Sequence, residues 1–415
     1  MKNETAAPVP SGRTPAFRAD RCTLCGECLR RCPVMRLPLQ DAKNEMRKLM
    51  DGDLSSQVLS RCTTCFSCDL YCPEDARPYR LILERWNDLY KKRGAPPLYR
   101  FVCPTEEPNI WQLLNIFLSE KERAWVDEWV SREPGAGDRV LLIGSYTHLF
   151  PFVIGGSALL DGYVAVSRPD QWEGGAYLYQ GGYLDEVRRI ALRCEEDFLR
   201  WEAASVTPAL DAVRYLYTSV HPGEMGVTHS VSFPDFHHRL LDGLVDGSVP
   251  VRRRLGLTVT VHDNCYSKAL GDDCWDTPRR ILEKCGCAVA EMEHIRADAL
   301  CCGFGAGASW VRNFAMPFDI IAEGAKKFRE AEATGATALV SYCGGCLYLL
   351  WAARELLGSK MDVYHLIEVV RMAMGEKLNY PEDHLRRAWD IIAIISYQLL
   401  VSLFQKKFRI DAISY

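Results

Sequence analysis

Two runs of cysteine near the start of the chain limit what its 415 residues can fold into more than any other feature. The first is Cys22, Cys25, Cys28 and Cys32 with Pro33 behind it; the second is Cys62, Cys65, Cys68 and Cys72 with Pro73 behind it. Three cysteines at intervals of three wrap a loop around one cubane, each thiolate reaching a different iron. The fourth, ahead of proline, is turned away and ligates the partner cluster. By that rule Cys22, Cys25 and Cys28 pair with Cys72, while Cys62, Cys65 and Cys68 pair with Cys32. Structural zinc takes separated Cys-x-x-Cys pairs, not three cysteines in step plus a Cys-Pro, and not twice over. The motifs predict two [4Fe–4S] clusters, close enough together for electron relay.

The chain holds 18 cysteines in all. A small secreted protein would use them as a disulfide framework, but this chain is neither small nor secretory in pattern. Residues Met1–Asp20 are polar and lack an apolar core or a twin arginine, so 1–18 reads as a disordered lead-in and the expected compartment is the reducing cytoplasm. A formal net charge of −4 gives no reason to expect a nucleic-acid partner, and Arg252, Arg253 and Arg254 read as a solvated run. No apolar stretch reaches the roughly 18 residues of a membrane span. The apolar core of the tail, Ile391 to Phe404, makes only about 21 Å of helix against a hydrocarbon thickness of about 30 Å. Packing on its own domain, docking on a membrane subunit and lying in the interface all suit such a helix.

Between the motifs, 36–59 is rich in Leu, Met, Lys and Gln and reads as helical, as do 80–92 and 111–130, with a break and linker at 93–97. From Arg139 short β-branched runs recur at 139–145, 163–167, 214–220, 257–263, 287–293 and 336–343, separated by helix-like stretches such as 184–204 and 314–334. Alternation of this kind predicts parallel α/β units. The expected organisation is an α-helical ferredoxin module (19–95), a helical connector (96–138), two α/β lobes (139–250 and 251–375) and a helical tail (376–415).

A second cysteine block sits in the later lobe: His262-Asp263-Asn264-Cys265, Cys301-Cys302-Gly303 and Cys343-Gly344-Gly345-Cys346. Two of these follow predicted strands, where an α/β fold assembles its sites. Adjacent Cys301 and Cys302 make a poor zinc pair but can hold neighbouring irons, and Gly303, Gly305 and Gly307 leave room for a bulky group. Cys103, Cys194, Cys274, Cys285 and Cys287 read as buried small residues. No G-x-G-x-x-G follows a strand, so a flavin or nicotinamide belongs to another chain.

The helical spacer between the first two motifs resembles the α-helical ferredoxins of heterodisulfide reductase, succinate dehydrogenase and anaerobic glycerol-3-phosphate dehydrogenase. The later block resembles the CCG (cysteine-rich) domain of the heterodisulfide reductase family, with HDNC for the usual HDPC, Pro278-Arg279 for PR, CCGFGAG for CCGxGxG and CGGC for CPxC. The resemblance implies a third iron–sulfur cluster at Cys265, Cys301, Cys302, Cys343 and Cys346, noncubane if all five ligate and cubane if four do. It also implies disulfide or related two-electron chemistry there, with His262 as a candidate proton donor and His221 a weaker one. Lobe 139–250 reads as a copy that has lost its ligands: Gly144-Ser145, Trp172 to Gly175 and Val220 to Glu224 stand where cysteines belong.

The expected function is an oxidoreductase in which two cubanes feed a CCG cluster that reduces or forms a disulfide or related sulfur bond. The alternative is a non-catalytic electron-transfer subunit linking a dehydrogenase or flavoprotein to a membrane cytochrome or quinone-reactive subunit. Either way the partners are redox subunits of a complex, and any membrane attachment is peripheral, on the inner face and through that complex.

Overall fold

The two cysteine loops turn in the same way. Leu24 and Thr64 have φ of 55° and 56°, and Gly26 and Phe66 have φ of 79° and 62°. Left-handed backbone at matched places curls each loop around a centre, at a cost for Leu, Thr and Phe that the surroundings must hold. The computed structural model describes residues 12–103, 105–144, 148–303 and 316–410. Ser145, Gly305, Gly307 and most of the expected lead-in lie outside them.

Between the loops, α1 (Leu39–Met50) buries Ala42, Met46 and Leu49, the i, i+4, i+7 stripe of an amphipathic helix. After the second loop, α2 (Pro78–Arg93) starts on a proline suited to a first helical turn and buries Leu81, Ile82, Trp86 and Leu89. The residues that follow do not form a free linker. Ala95 pairs with Phe408 through both backbone bonds, and its side chain is buried, so the C-terminal tail clamps them. The expected 111–130 helix is two pieces; the longer, α3 (Glu120–Ser131), begins on a capping box between Ser119 and Glu122.

Two all-parallel sheets follow. In the first, β1 (Arg139–Leu142) lies between β2 (Val164–Val166) and β3 (Ser205–Pro208), with Val140 opposite both Val164 and Val206. Its crossover helix α4 (Leu184–Trp201) buries Val187, Ile190, Cys194, Phe198 and Trp201 at helical spacing. The short α5 (Asp211–Tyr215) leaves the end of β3. In the second sheet β4 (Thr258–His262) lies between β5 (Ala288–Val289) and β6 (Ala338–Ser341), and β7 (Asp362–His365) extends it. Its site-bearing helices are α6 (Cys265–Leu270), after β4, and α7 (Gly344–Leu357), after β6. Each sheet thus sets its first strand in the middle with the second and third beside it, and the chain is an α-helical ferredoxin module followed by a two-lobed α/β region.

Two expectations change. The run 214–220 is helical, continuing α5 through a π turn, because Val213, Leu216, Tyr217 and Val220 are buried at helical rather than alternating intervals. The strand that closes the first lobe is β3, so by register the counterpart of the CGGC turn is 210–213, not 220–224. The tail forms α8 (Glu382–Ser402), which buries Ala388, Ile391 and Ile394 and ties Arg387 to Glu122 at 3.1 Å.

His221 is a fully buried, hydrogen-bonded residue of the first lobe. Its Nε2 lies 2.9 Å from the Gly174 carbonyl and its Nδ1 2.8 Å from Nε2 of His229, which reaches Glu195. Burial, and then His229, push its pKa down to about 3. The unfolded chain would bind this proton near pH 6.5, so the stabilising difference is complete above that pH. It is lost as pH falls toward 3, by about 1.4 kcal/mol per pH unit. Denaturant midpoints should therefore drop more steeply between pH 6.5 and 5 in the parent than in His221→Asn; parallel curves would contradict this.

Candidate metal centre

All 18 cysteines are free thiols. Cys28 is pushed up to about 12 by burial and then by the charges of Cys72, Cys25 and Cys22. Cys32 is pushed up to about 11 by burial and then by Cys65, and Cys62 is raised by burial, with Cys65 and Cys32 adding to it. The fourth cysteine of each run therefore faces the other run's thiols. Backbone N–H groups of Thr64 and Ala76 point at Sγ of Cys62 and Cys72, at 3.4 and 3.3 Å.

The later block closes on one cavity, lined by Cys265, Cys301, Cys302, Cys343 and Cys346. β4 delivers His262 and Asp263, and Asn264 then caps α6 by accepting from the Ser267 N–H at 2.9 Å. Asn264 stands where the resembled motif has proline, and its amide also donates to Asp211 at 3.1 Å. Despite burial, Asp263 is held below the usual carboxylate range by Arg279, whose guanidinium donates to both its oxygens at 2.9 Å. The Pro-Arg element is thus a buried strut behind the cysteine loop. Gly303 has φ of 101°, and a Cβ there would sit 2.8 Å from the Ile320 carbonyl.

Burial drives Cys265 well above the usual thiol range. Cys302 is held well below it by the thiols of Cys301 and Cys346. Ligand atoms of His262, Cys302 and Cys346 lie within 4.8 Å of one another. His262 is 1% exposed, and its imidazole interacts with the Cys302 thiol. A buried imidazole whose partner is a thiol leaves hydrogen-bonding capacity for something further to complete the site. The donor set, rich in sulfur and dry, suits iron–sulfur.

Several walls of this cavity carry no motif. The first lobe contributes Glu173, Tyr177, Gln180 and Asp211, and Gln180 Nε2 lies 3.4 Å from Sγ of Cys265. Glu173 opens three consecutive left-handed residues with Gly174 and Gly175, at the place read as an empty ligand position. The ferredoxin module contributes Thr63 and Cys65. Lys268, 2% exposed, donates from Nζ to Ser67 Oγ at 3.1 Å and to the Ala299 carbonyl at 2.5 Å, and Ser67 Oγ is 3.4 Å from Sγ of Cys65. Tyr71 donates to Asp298 across the same seam at 2.8 Å. The second cysteine loop therefore abuts the cavity. Glu173 and Lys268 lie in or beside the motifs but are not themselves motif residues, and Gln180 lies in none, so one sequence gives no signal for their role. Cys103, Cys194, Cys274, Cys285 and Cys287 do not line the cavity.

Residues 18–76 match the family model of a 4Fe-4S dicluster domain, and residues 259–350 match that of the cysteine-rich CCG domain. In both domains the chain resembles the heterodisulfide reductase-like iron–sulfur oxidoreductases. One component of the dihydromethanophenazine:CoB–CoM heterodisulfide reductase of Methanosarcina mazei is 25% identical over 400 residues, covering 86% of this chain and 94% of that one. A probable iron–sulfur-binding oxidoreductase of Bacillus subtilis, FadF, is 29% identical over 166 residues, 35% of this chain and 23% of its own length. The EtfAB:quinone oxidoreductase of Syntrophomonas wolfei is 32% identical over 75 residues, 18% of this chain and 10% of that one. Among the described residues of this heterodisulfide reductase-like chain, no helix is long and apolar enough to cross a membrane.

Proposed function

We propose that this chain holds two [4Fe–4S] clusters and a third, CCG-bound cluster, and that it reduces or forms a sulfur–sulfur bond in the cavity those cysteines line. Cys22, Cys25, Cys28 and Cys72 would hold the first cubane, Cys62, Cys65, Cys68 and Cys32 the second, and Cys265, Cys301, Cys302, Cys343 and Cys346 the third group. The observation that carries the reading is the convergence of those last five cysteines with Cys65 on one cavity. Bound clusters supply electrons one at a time.

The chain's own residues do the rest. Loop 62–68 abuts the cavity, so the second cubane's ligands form the inner step of the relay and Cys22, Cys25 and Cys28 the outer one. Reducing a disulfide breaks one S–S bond with two electrons and forms two S–H bonds with two protons. His262 and Glu173, both lining the cavity, are placed to give those protons. Tyr177, Ala176 and Leu210 narrow the opening and keep water from the reacting sulfur. The deciding experiment is electron paramagnetic resonance of the anaerobic, oxidised protein titrated with 2-mercaptoethanol. A new signal that requires the thiol supports sulfur chemistry at the cavity. A spectrum indifferent to thiol, with signals only on reduction, overturns it in favour of a relay between a dehydrogenase and a quinone-reactive partner.

Lys268 places a cation within two hydrogen bonds of Cys65. Replacing it with Met should lower the inner cubane's midpoint potential by roughly 50 to 100 mV, because reduction adds negative charge that the ammonium stabilises. Redox titration of Lys268→Met against Lys268→Arg checks this; equal potentials in both variants would leave Lys268 a packing residue.

A further inference from the structure

The outer face of α8 is an exposed apolar stripe that the redox chemistry does not use. Leu385 is 37% exposed, Trp389 56%, Tyr397 45%, Leu400 64%, Leu403 58% and Phe404 89%. Steps of three and four place these residues on one side of the helix, opposite the buried His384, Arg387, Ile391, Ile394 and Gln398. From Ala388 to Gln405 the only charged residue is Asp390, which turns toward Arg387 at 3.6 Å. Ile116, 70% exposed, extends the patch beside the helix start, where Arg386 donates to the Phe117 carbonyl.

Cations collect where the stripe ends. Lys406, Lys407 and Arg409 follow Phe404, and the pairing of Phe408 with Ala95 brings them against Lys91, Lys92 and Arg93 at the end of α2. Arg409 Nη2 donates to the Lys91 carbonyl at 2.8 Å. All six side chains are exposed, and Lys91 also reaches Asp185. Lys407 is held below its usual range by partial burial and then by Arg93, as expected of like charges crowded together.

We propose that this face seats the chain on an anionic lipid bilayer, with α8 lying along the surface, its apolar stripe in the headgroup boundary and the six cations on the lipid phosphates. Complementarity of charge argues for this occupant: one sign of charge abuts a flat stripe that mixes Trp, Tyr and aliphatic side chains, the composition an interfacial helix uses. The inference is independent of what the cavity reduces.

The test is flotation of the cluster-loaded full chain with vesicles of equal parts phosphatidylglycerol and phosphatidylcholine. Binding is expected, about tenfold or more weaker on phosphatidylcholine alone and weakened by salt. Leu400→Glu with Phe404→Glu should abolish it, and Lys406→Glu with Lys407→Glu should weaken it about tenfold. These side chains are exposed, so the cluster absorbance should stay unchanged and report an intact fold. No binding to the mixed vesicles, as expected if a membrane-embedded protein occupies the face instead, overturns the proposal. So does binding that survives the change at Leu400 and Phe404.

Discussion

Cys302→Ser should reduce the iron content from about twelve to about eight per chain, leaving the two ferredoxin cubanes in place. Cys302 is the thiol that Cys301 and Cys346 both favour as thiolate, and its neighbour within 4.8 Å is the buried His262. A serine oxygen is a harder and more weakly binding ligand in a sulfur site. The ferredoxin loops make their own contacts and should load normally, because Cys62 and Cys65 are set by the turns at Thr64 and Phe66 rather than by the later lobe. Metal analysis beside the thiol titration separates the outcomes. Loss of all iron would mean that the three groups assemble as one unit. Unchanged iron with a lost thiol response would place Cys302 as a substrate contact rather than a ligand.

Arg80→Met should destabilise the folded chain by about 3 to 5 kcal/mol. Arg80 rises from α2, is 6% exposed, and reaches Asp69 at 2.8 Å and Glu224 at 3.0 Å, with the Tyr215 hydroxyl also accepting from it. Tyr179 donates to Glu224 from the first lobe. One guanidinium thus spans the ferredoxin module and the α/β region, and its removal strands two buried carboxylates. Burial already raises both Asp69 and Glu224, so each is sensitive to the loss of its cation. Anaerobic unfolding should show the drop, and Glu224→Gln added to Arg80→Met should recover part of it by removing one stranded charge. Equal midpoints for parent and Arg80→Met would show that the strap contributes nothing.

What can be read from the sequence follows chemistry that is local in the chain. Cysteines in step with a Cys-Pro require curled loops, and β-branched runs such as 139–142, 258–262 and 338–341 form strands as expected. The errors lie where tertiary packing overrides local pattern. Residues 214–220 carry the aromatic and β-branched side chains of a strand, yet pack at helical intervals, with Tyr217 against Phe198 and Phe233. β3 and β7 escape the pattern because each is a four-residue edge strand buried almost throughout, with too little periodicity to stand out. At the site, the cysteines are legible and their walls are not. Lys268 and Gln180 are recognisable only once α6 and the first lobe are brought beside Cys65 and Cys265.

The cavity also bears on how the chain can be divided. Its thiols come from one lobe, its opposite wall from the lobe that carries none of those cysteines, and its floor near Cys65 from the ferredoxin. A cut at 258, just ahead of the CCG match, would carry the five cysteines away whole and leave them open to water on two sides. The lobe without ligands has kept its place as a lid, so the smallest piece able to enclose the chemistry runs from the first cysteine loop to the end of α7.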